Sequence, residues 1–233
     1  MTETKKTRLI GVALIAFAIG FNVPYAHLAA TFDYPDILRK PPGEILAAFA
    51  AGGRPLILTW AAFALAALLF APIAVWVARI TNRSSGVPAL GIAAGVAQAI
   101  GLCRWVYAVP GLAAAWTADP AARPSVETAF TALHQFAGVG IGEAIGQTLT
   151  AFWLIGAALA QRHHPRYPAA LTLLGVVGGG VLLLGLVEGL ATVLAFDPGL
   201  FGLAAMVGFL ILTVWLIWTG VLCILRPAAS PAP

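Results

Sequence analysis

The stretch that decides the fold is HQFAGVGIGEAIGQ, residues 134–147. It lies inside an apolar run long enough to cross a bilayer, yet it contains a histidine, a carboxylate and two glutamines. A lone carboxylate in hydrocarbon is energetically costly, so such groups persist mainly where a partner or a wet cavity relieves them. We therefore predict that residues 128–160 form a membrane-spanning helix that is enclosed by other helices and carries part of a polar site.

Three glycines recur at every fourth position of this stretch: Gly138, Gly142 and Gly146. Small residues with this spacing form a ridge along one side of a helix, and such a ridge lets a neighbouring backbone approach closely. We therefore predict that these glycines are helix-packing positions and that their helix is central in the bundle.

The composition of the whole chain is typical of a membrane protein. Of its 233 residues, 61% are hydrophobic and 9% are charged, whereas about a quarter of the residues of a soluble domain are charged. The net charge of +4 comes from few groups, most of them at the ends of apolar runs, so nucleic-acid binding has no support. Cys103 and Cys223 fall inside apolar runs, and we expect buried thiols instead of a disulfide framework.

Hydropathy predicts one all-α transmembrane domain, residues 1–226, followed by a disordered tail, residues 227–233. The domain would be a polytopic helical bundle with about six spans, at residues 9–30, 55–78, 87–109, 128–160, 169–196 and 200–225. An apolar run after a basic start also fits a signal peptide, in which case five spans would remain.

Two loops are predicted between these spans. The longer one, residues 31–54, contains Pro41-Pro42 and then a short amphipathic helix of the kind that lies at a membrane surface. The other comprises residues 112–127. In the longer loop, Asp36 and Arg39 are candidates for a lid over whatever opens on that side.

The positions of the positive residues predict the orientation in the membrane. With the N-terminus inside, eight Lys and Arg residues lie in cytoplasmic segments and four lie in outer segments. All the acidic residues of the loops fall outside. Because cytoplasmic loops carry the excess of Lys and Arg, we predict that the chain lies in the bacterial inner membrane with both termini in the cytoplasm.

This orientation brings ionisable side chains of four spans to the outer side of the bilayer. A helix rises about 1.5 Å per residue, so Glu143 lies near the midplane and His134 near the outer interface, and His27, Arg104 and Glu188 lie in the outer half. Pairing between the cationic and the acidic groups would reduce the cost of burying each of them. Desolvation favours the protonated form of a carboxylate, which suits Glu143 to proton coupling.

The helical wheel divides the polar residues of the fourth span. Glu143, Gln147 and Thr150 are spaced i, i+4 and i+7, so they line one narrow face. His134 precedes Glu143 by nine positions and would lie about half a turn away on a straight α-helix. The two would share a partner only if the run of glycines distorted the helix, and we expect His134 to contact the outer loop instead.

Three functions fit these residues. The leading hypothesis is small-ligand binding or proton-linked transport at an outward-facing site formed by Arg104, His134, Glu143, Gln147 and Glu188. Its partners would be the lipid bilayer and a small molecule or a proton. The second hypothesis is a membrane redox protein. His27 and His134 lie at similar depth and could hold a haem, and a quinone is the alternative cofactor. A structural, sensory or accessory subunit is the third. The sequence contains no catalytic or metal-binding motif, which favours a protein that is not an enzyme.

Several short motifs lie along the chain: YPDILR at residues 34–39, Gly52-Gly53, Arg104-Trp105, His134-Gln135, Gly142-Glu143 and Gly146. Together they resemble a known bacterial family of polytopic membrane proteins, the domain of unknown function 4386. The resemblance implies a multi-helix inner-membrane protein and no particular activity. It also draws attention to the charged and polar residues within the matching motifs: Asp36, Arg39, Arg104, His134 and Glu143.

Overall fold

The chain is helical throughout the part that is described. The structure is a computed structural model, and it describes residues 2–81, 86–197 and 199–226. About 90% of the chain is helical, no strand occurs in the described ranges, and six helical segments are long and apolar enough to cross a membrane. The prediction of an all-α polytopic bundle is therefore confirmed. The predicted tail, residues 227–233, and the turn that carries Arg83 lie outside the described ranges.

The helices follow one another with short connections. In chain order they are α1 (Glu3–Phe32), α2 (Pro42–Ile80), α3 (Val87–Tyr107), α4 (Val109–Ala118), α5 (Arg123–Leu133), a π-helix (His134–Ile145), α6 (Gly146–Gln161), α7 (Ala169–Leu194) and α8 (Ala204–Leu225). Short 3₁₀ turns lie at Asp36–Arg39, Pro120–Ala122 and Gly199–Leu203. Residues 33–41 lie at one end of the bundle, which we call the loop side.

Six helices form a closed ring. Each packs against the next in the order α1, α2, α3, α6, α7 and α8, and α8 packs against α1. The π-helix extends α6 toward the loop side and packs on α3, and α4 and α5 cover α2 there. Large apolar side chains such as Leu9, Leu58 and Leu173 are exposed on the outside of the ring, as expected of surfaces that face lipid.

Two apolar clusters fill the ring, and each is centred on fully buried tryptophans. On the loop side, Trp60 and Trp105 stack with ring centroids 4.7 Å apart. Toward the other end, Trp153 and Trp215 meet edge to face with centroids 5.8 Å apart. The buried polar residues, among them Arg104, Gln147 and Thr150, do not belong to either apolar cluster, and a polar site would form around them.

The predicted loop at residues 31–54 is mostly helical. α1 continues to Phe32, and α2 begins at Pro42, whose fixed φ suits the first turn of a helix. Gly53 interrupts α2 with φ 55° and ψ −149°, a conformation that favours glycine. The apolar face with Phe49 does not lie on the membrane surface: Phe49 stacks on Trp105, with centroids 5.7 Å apart, so this first part of α2 belongs to the core.

The predicted loop at residues 112–127 is also wrong. α4 and α5 occupy most of it. Pro110 and Pro124 lie in the first turns of these helices, where a backbone N–H has no partner within the helix, so a proline there loses no hydrogen bond. The Trp116 indole donates a hydrogen bond of 2.8 Å to the Glu127 carboxylate, and this bond joins the two short helices.

Candidate functional site

The π-helix aligns the two polar residues that an α-helix would separate. It comprises twelve residues, His134–Ile145. Its i to i+5 hydrogen bonds give about 80° of turn per residue in place of about 100°, so nine residues complete about two full turns. His134 and Glu143 therefore point to the same side of the helix. The expectation that they face different partners is wrong because the glycine-rich run does distort the helix.

Three glycines of this region contact α3 at successive turns. A Cβ on Gly138 would lie 2.6 Å from the Arg104 guanidinium carbon, and a Cβ on Gly146 would lie 2.8 Å from the Gln98 side chain. Between them, Gly142 approaches Gly101, where an added Cβ on Gly142 would lie 3.1 Å from the Gly101 Cα. The glycines thus lie against α3 and leave room for the Arg104 side chain beside the π-helix.

Arg104 is the most deeply buried cation of the site. Its side chain hydrogen bonds to the Gly101 carbonyl, and Nη2 lies 3.3 Å from His134 Nδ1. A guanidinium can only donate, so Nδ1 accepts and His134 carries its proton on Nε2. The residue is 7% exposed, and its Nε has no hydrogen-bond partner among the described residues. Within the described ranges no carboxylate lies at salt-bridge distance from Arg104.

Glu143 lies beside this cation without a hydrogen bond to any other described residue. Its side chain is half-buried, and the charges of Arg104, Glu188 and Arg39 act on it. The sequence left open whether Arg104 pairs with Glu143 or with Glu188. The structure brings Arg104 into electrostatic reach of Glu143, whereas Glu188 has a different cation as its direct partner.

That cation is Arg39, from the turn that covers the loop side. The guanidinium of Arg39 bridges the carboxylates of Asp36 and Glu188, so it ties the turn to α7. Partial burial lowers the pKa of Arg39, but the hydrogen bonds and charges of Glu188 and Asp36 together outweigh this, so the pKa lies above its usual range. Among the described residues, the hydrogen-bond and ring partners of His134 come from the helices: it bonds to Arg104 and stacks on Phe130, with centroids 5.6 Å apart.

Tyr34 is a member of the site that the sequence reasoning did not select. Its ring lies edge-on to Trp60 with centroids 5.2 Å apart and near Tyr25 at 5.6 Å. Burial raises the pKa of the Tyr34 phenol above its usual range, and the charge of Glu143 acts in the same direction. The signal that could have found it is its position two residues before Asp36, in the motif that also contains Arg39.

Gln147 and His27 lie apart from these charges. Gln147 is buried and donates a hydrogen bond of 2.6 Å to the Leu182 carbonyl, so it joins α6 to α7. His27 is exposed on α1. His134 instead lies among Arg104 and aromatic rings, so the pair of histidines invoked for a haem occupies two different environments.

The charge cluster, as we use the term below, consists of Arg39, Arg104, His134, Glu143 and Glu188.

A comparison with protein families matches residues 9–220 to a family described as a domain of unknown function, DUF4386. The chain belongs to this family. The part that matches DUF4386 runs from α1 into α8 and contains the whole charge cluster. Searches of curated proteins and of solved structures gave no match to the chain.

Proposed function

We propose that this chain is a bacterial inner-membrane protein that binds a small molecule through an anionic group, at the charge cluster. Both termini would lie in the cytoplasm, so the loop side would face outward. Glu143 would exchange a proton when the ligand binds. The observation that carries the proposal is the state of Arg104: among the described residues, this buried guanidinium has no partner for its Nε and no carboxylate at salt-bridge distance.

Arg104 supplies the affinity for an anion. A buried charge is costly unless it is paired and hydrogen-bonded. In the part of the chain that the structure describes, the hydrogen-bond partners of Arg104 are a carbonyl and an imidazole, both of which are neutral. The planar guanidinium presents donors in a fork that matches a carboxylate or a phosphate, and such charge-assisted bonds are about twice as strong as neutral ones. A ligand anion would complete the pairing that the protein leaves open.

Charge balance supports a proton on Glu143. The cluster contains two arginines and two glutamates, and Asp36 on Arg39 adds a third carboxylate, so there is no excess positive charge before a ligand binds. A bound anion would add negative charge in a medium of low dielectric constant. Among the two acids, Glu188 is engaged with Arg39, whereas Glu143 has no hydrogen bond from the described residues. Protonation of Glu143 would therefore offset the charge of the anion without breaking the ion pair between Glu188 and Arg39. Anion binding would then be coupled to the uptake of one proton.

The test combines mass spectrometry of co-purifying small molecules with thermal stability in acetate, succinate and phosphate. We expect one of these anions to stabilise the purified protein, and Arg104→Gln to remove that effect. Arg123→Gln is the matched control, because Arg123 stacks on Trp116 at 4.2 Å, outside the cluster. Glu143→Gln should keep binding and lose its pH dependence.

Two results would overturn the proposal. One is equal stabilisation of the Arg104→Gln and Arg123→Gln proteins by the anion. The other is a wild-type protein that none of the anions stabilises and whose co-purifying molecules are the same as those of Arg104→Gln. Either result would favour a purely structural role for the buried charges.

A further inference from the structure

A second polar region lies inside the ring, at the middle of the helices. A cavity of about 20 Å³, space for about one water molecule, is enclosed by α1, α2, α3, α6 and α8. Its lining includes the rings of four phenylalanines and four polar side chains, each from a different helix: Asn22, Gln98, Thr150 and Thr213. None of these four residues belongs to the charge cluster.

The two threonines determine which way the amides are oriented. Thr150 donates its only hydroxyl proton to the Gly146 carbonyl at 2.8 Å, and Thr213 donates its own to the Phe209 carbonyl at 2.9 Å. Each hydroxyl can then only accept within the cavity wall. Gln98 Nε2 donates to Thr150 at 2.7 Å, and the corresponding bond to Thr213 comes from an asparagine.

That asparagine has no donor left. Asn22 Nδ2 donates one proton to Thr213 at 3.0 Å and the other to the Ala18 carbonyl at 2.7 Å. The amide oxygens of Asn22 and Gln98 accept from no other residue in the described part of the chain. The four polar residues that line the cavity therefore contain two amide oxygens that accept no bond from the described residues and two hydroxyl oxygens whose protons are already donated, and one N–H of Gln98 remains to donate.

We propose that this cavity is a binding site for a small monovalent cation. An environment rich in acceptors and poor in donors selects an occupant that donates or is positively charged. Carbonyl and hydroxyl oxygens are ligands that hard cations prefer, and the faces of aromatic rings attract cations. The described residues contain no cluster of carboxylates or histidines here that would suit a divalent ion. The size admits one dehydrated ion, of the class of sodium or ammonium.

This inference does not depend on the anion site, since it rests on other side chains and its test needs no organic ligand. The wild-type protein is unfolded by heat in choline chloride, and the choline is replaced at constant ionic strength by sodium, lithium, potassium or ammonium. We expect one cation to raise the midpoint saturably, by on the order of 5 °C. The identity of that cation distinguishes a metal ion from ammonium.

Two variants and one control locate the effect. Gln98→Met and Asn22→Leu each remove a carbonyl oxygen at similar volume, and both should lose the response. Gln161→Met is the control: Gln161 is also a fully buried amide beside a threonine, Thr219, but it lies outside the cavity. Equal midpoints of the wild type in all salts would overturn the inference and assign the cavity to water. A full response in Gln98→Met or Asn22→Leu would overturn it as well.

Discussion

Replacing Gly101 with alanine tests the close approach of α3 and the π-helix, on which the position of Arg104 depends. A Cβ on Gly101 would lie 2.7 Å from the Gly142 Cα and 3.0 Å from the Ala137 carbonyl oxygen. Ordinary contacts begin at 3.4 Å, so the two segments would have to separate by about 0.7 Å. Both obstructing atoms are backbone, so no side-chain rotation relieves the clash.

The expected cost follows from two opposing effects. Overpacking a well-packed interior costs about 1–3 kcal/mol. Alanine in place of glycine inside a helix gains about 1 kcal/mol through its higher helix propensity. The matched control is Gly180→Ala, inside α7, because an added Cβ there meets nothing within 4 Å. The difference in unfolding free energy between the two variants cancels the propensity gain and measures the overpacking alone.

The assay is thermal unfolding in detergent, followed by the intrinsic fluorescence of the seven tryptophans. We expect the midpoint of Gly101→Ala to fall below that of Gly180→Ala by roughly 2–12 °C, from about 1–3 kcal/mol of overpacking and about 2–4 °C per kcal/mol for a chain of this size. A Gly101→Ala protein as stable as Gly180→Ala would refute the close approach of the two segments. It would also remove the geometric basis for placing Glu143 beside Arg104.

Two further predictions concern the surface at either end of the bundle. A double-mutant cycle of Arg39→Gln and Glu188→Gln should show a coupling energy of about 0.2–1 kcal/mol. The coupling should weaken as salt is added, because the two side chains are 49% and 27% exposed. Strictly additive effects of the two substitutions on the unfolding free energy would contradict the ion pair. At the opposite end, burial, followed by the charge of Arg166, lowers the pKa of His164 below its ordinary value of 6.5. The folded state therefore favours neutral His164, and its stability should be full above about pH 6.5 and decrease as the pH falls below it. His164→Asn should flatten this part of the pH profile, whereas the variant of its exposed neighbour, His163→Asn, should leave the profile unchanged. If the slope persists in His164→Asn, His164 is not the group that causes the loss of stability.

Sequence reasoning located most of the charge cluster because intramembrane charges are conspicuous in an apolar background. Arg104, Glu143 and Glu188 stand out in any hydropathy profile, and Arg39 was selected within the YPDILR motif. Whether these residues form one ligand site is still a prediction. Tyr34 was missed because an aromatic residue in a short loop looks like an interfacial anchor unless its neighbours are known.

The errors in the secondary structure have a common cause. Pro42 and Pro124 fall in predicted loops and Pro110 follows the predicted third span, although all three lie in the first turns of helices. The regular wheel of an α-helix was applied to residues 134–145, although glycine-rich backbone adopts the wider turn of a π-helix there. Local sequence does not distinguish these cases, since the choice depends on which neighbour the segment packs against.

The sequence by itself determined that the chain is a six-span helical membrane protein, because the transfer of a segment into hydrocarbon depends mainly on that segment's own composition. Only the tertiary structure decided which charges meet. Arg39 reaches Glu188 across 149 positions, and Arg104 reaches His134 across 30. Such contacts depend on the rotation and depth of separate helices. The π-helix brings His134 to Arg104, and it lies close to α3 where Gly142 meets Gly101.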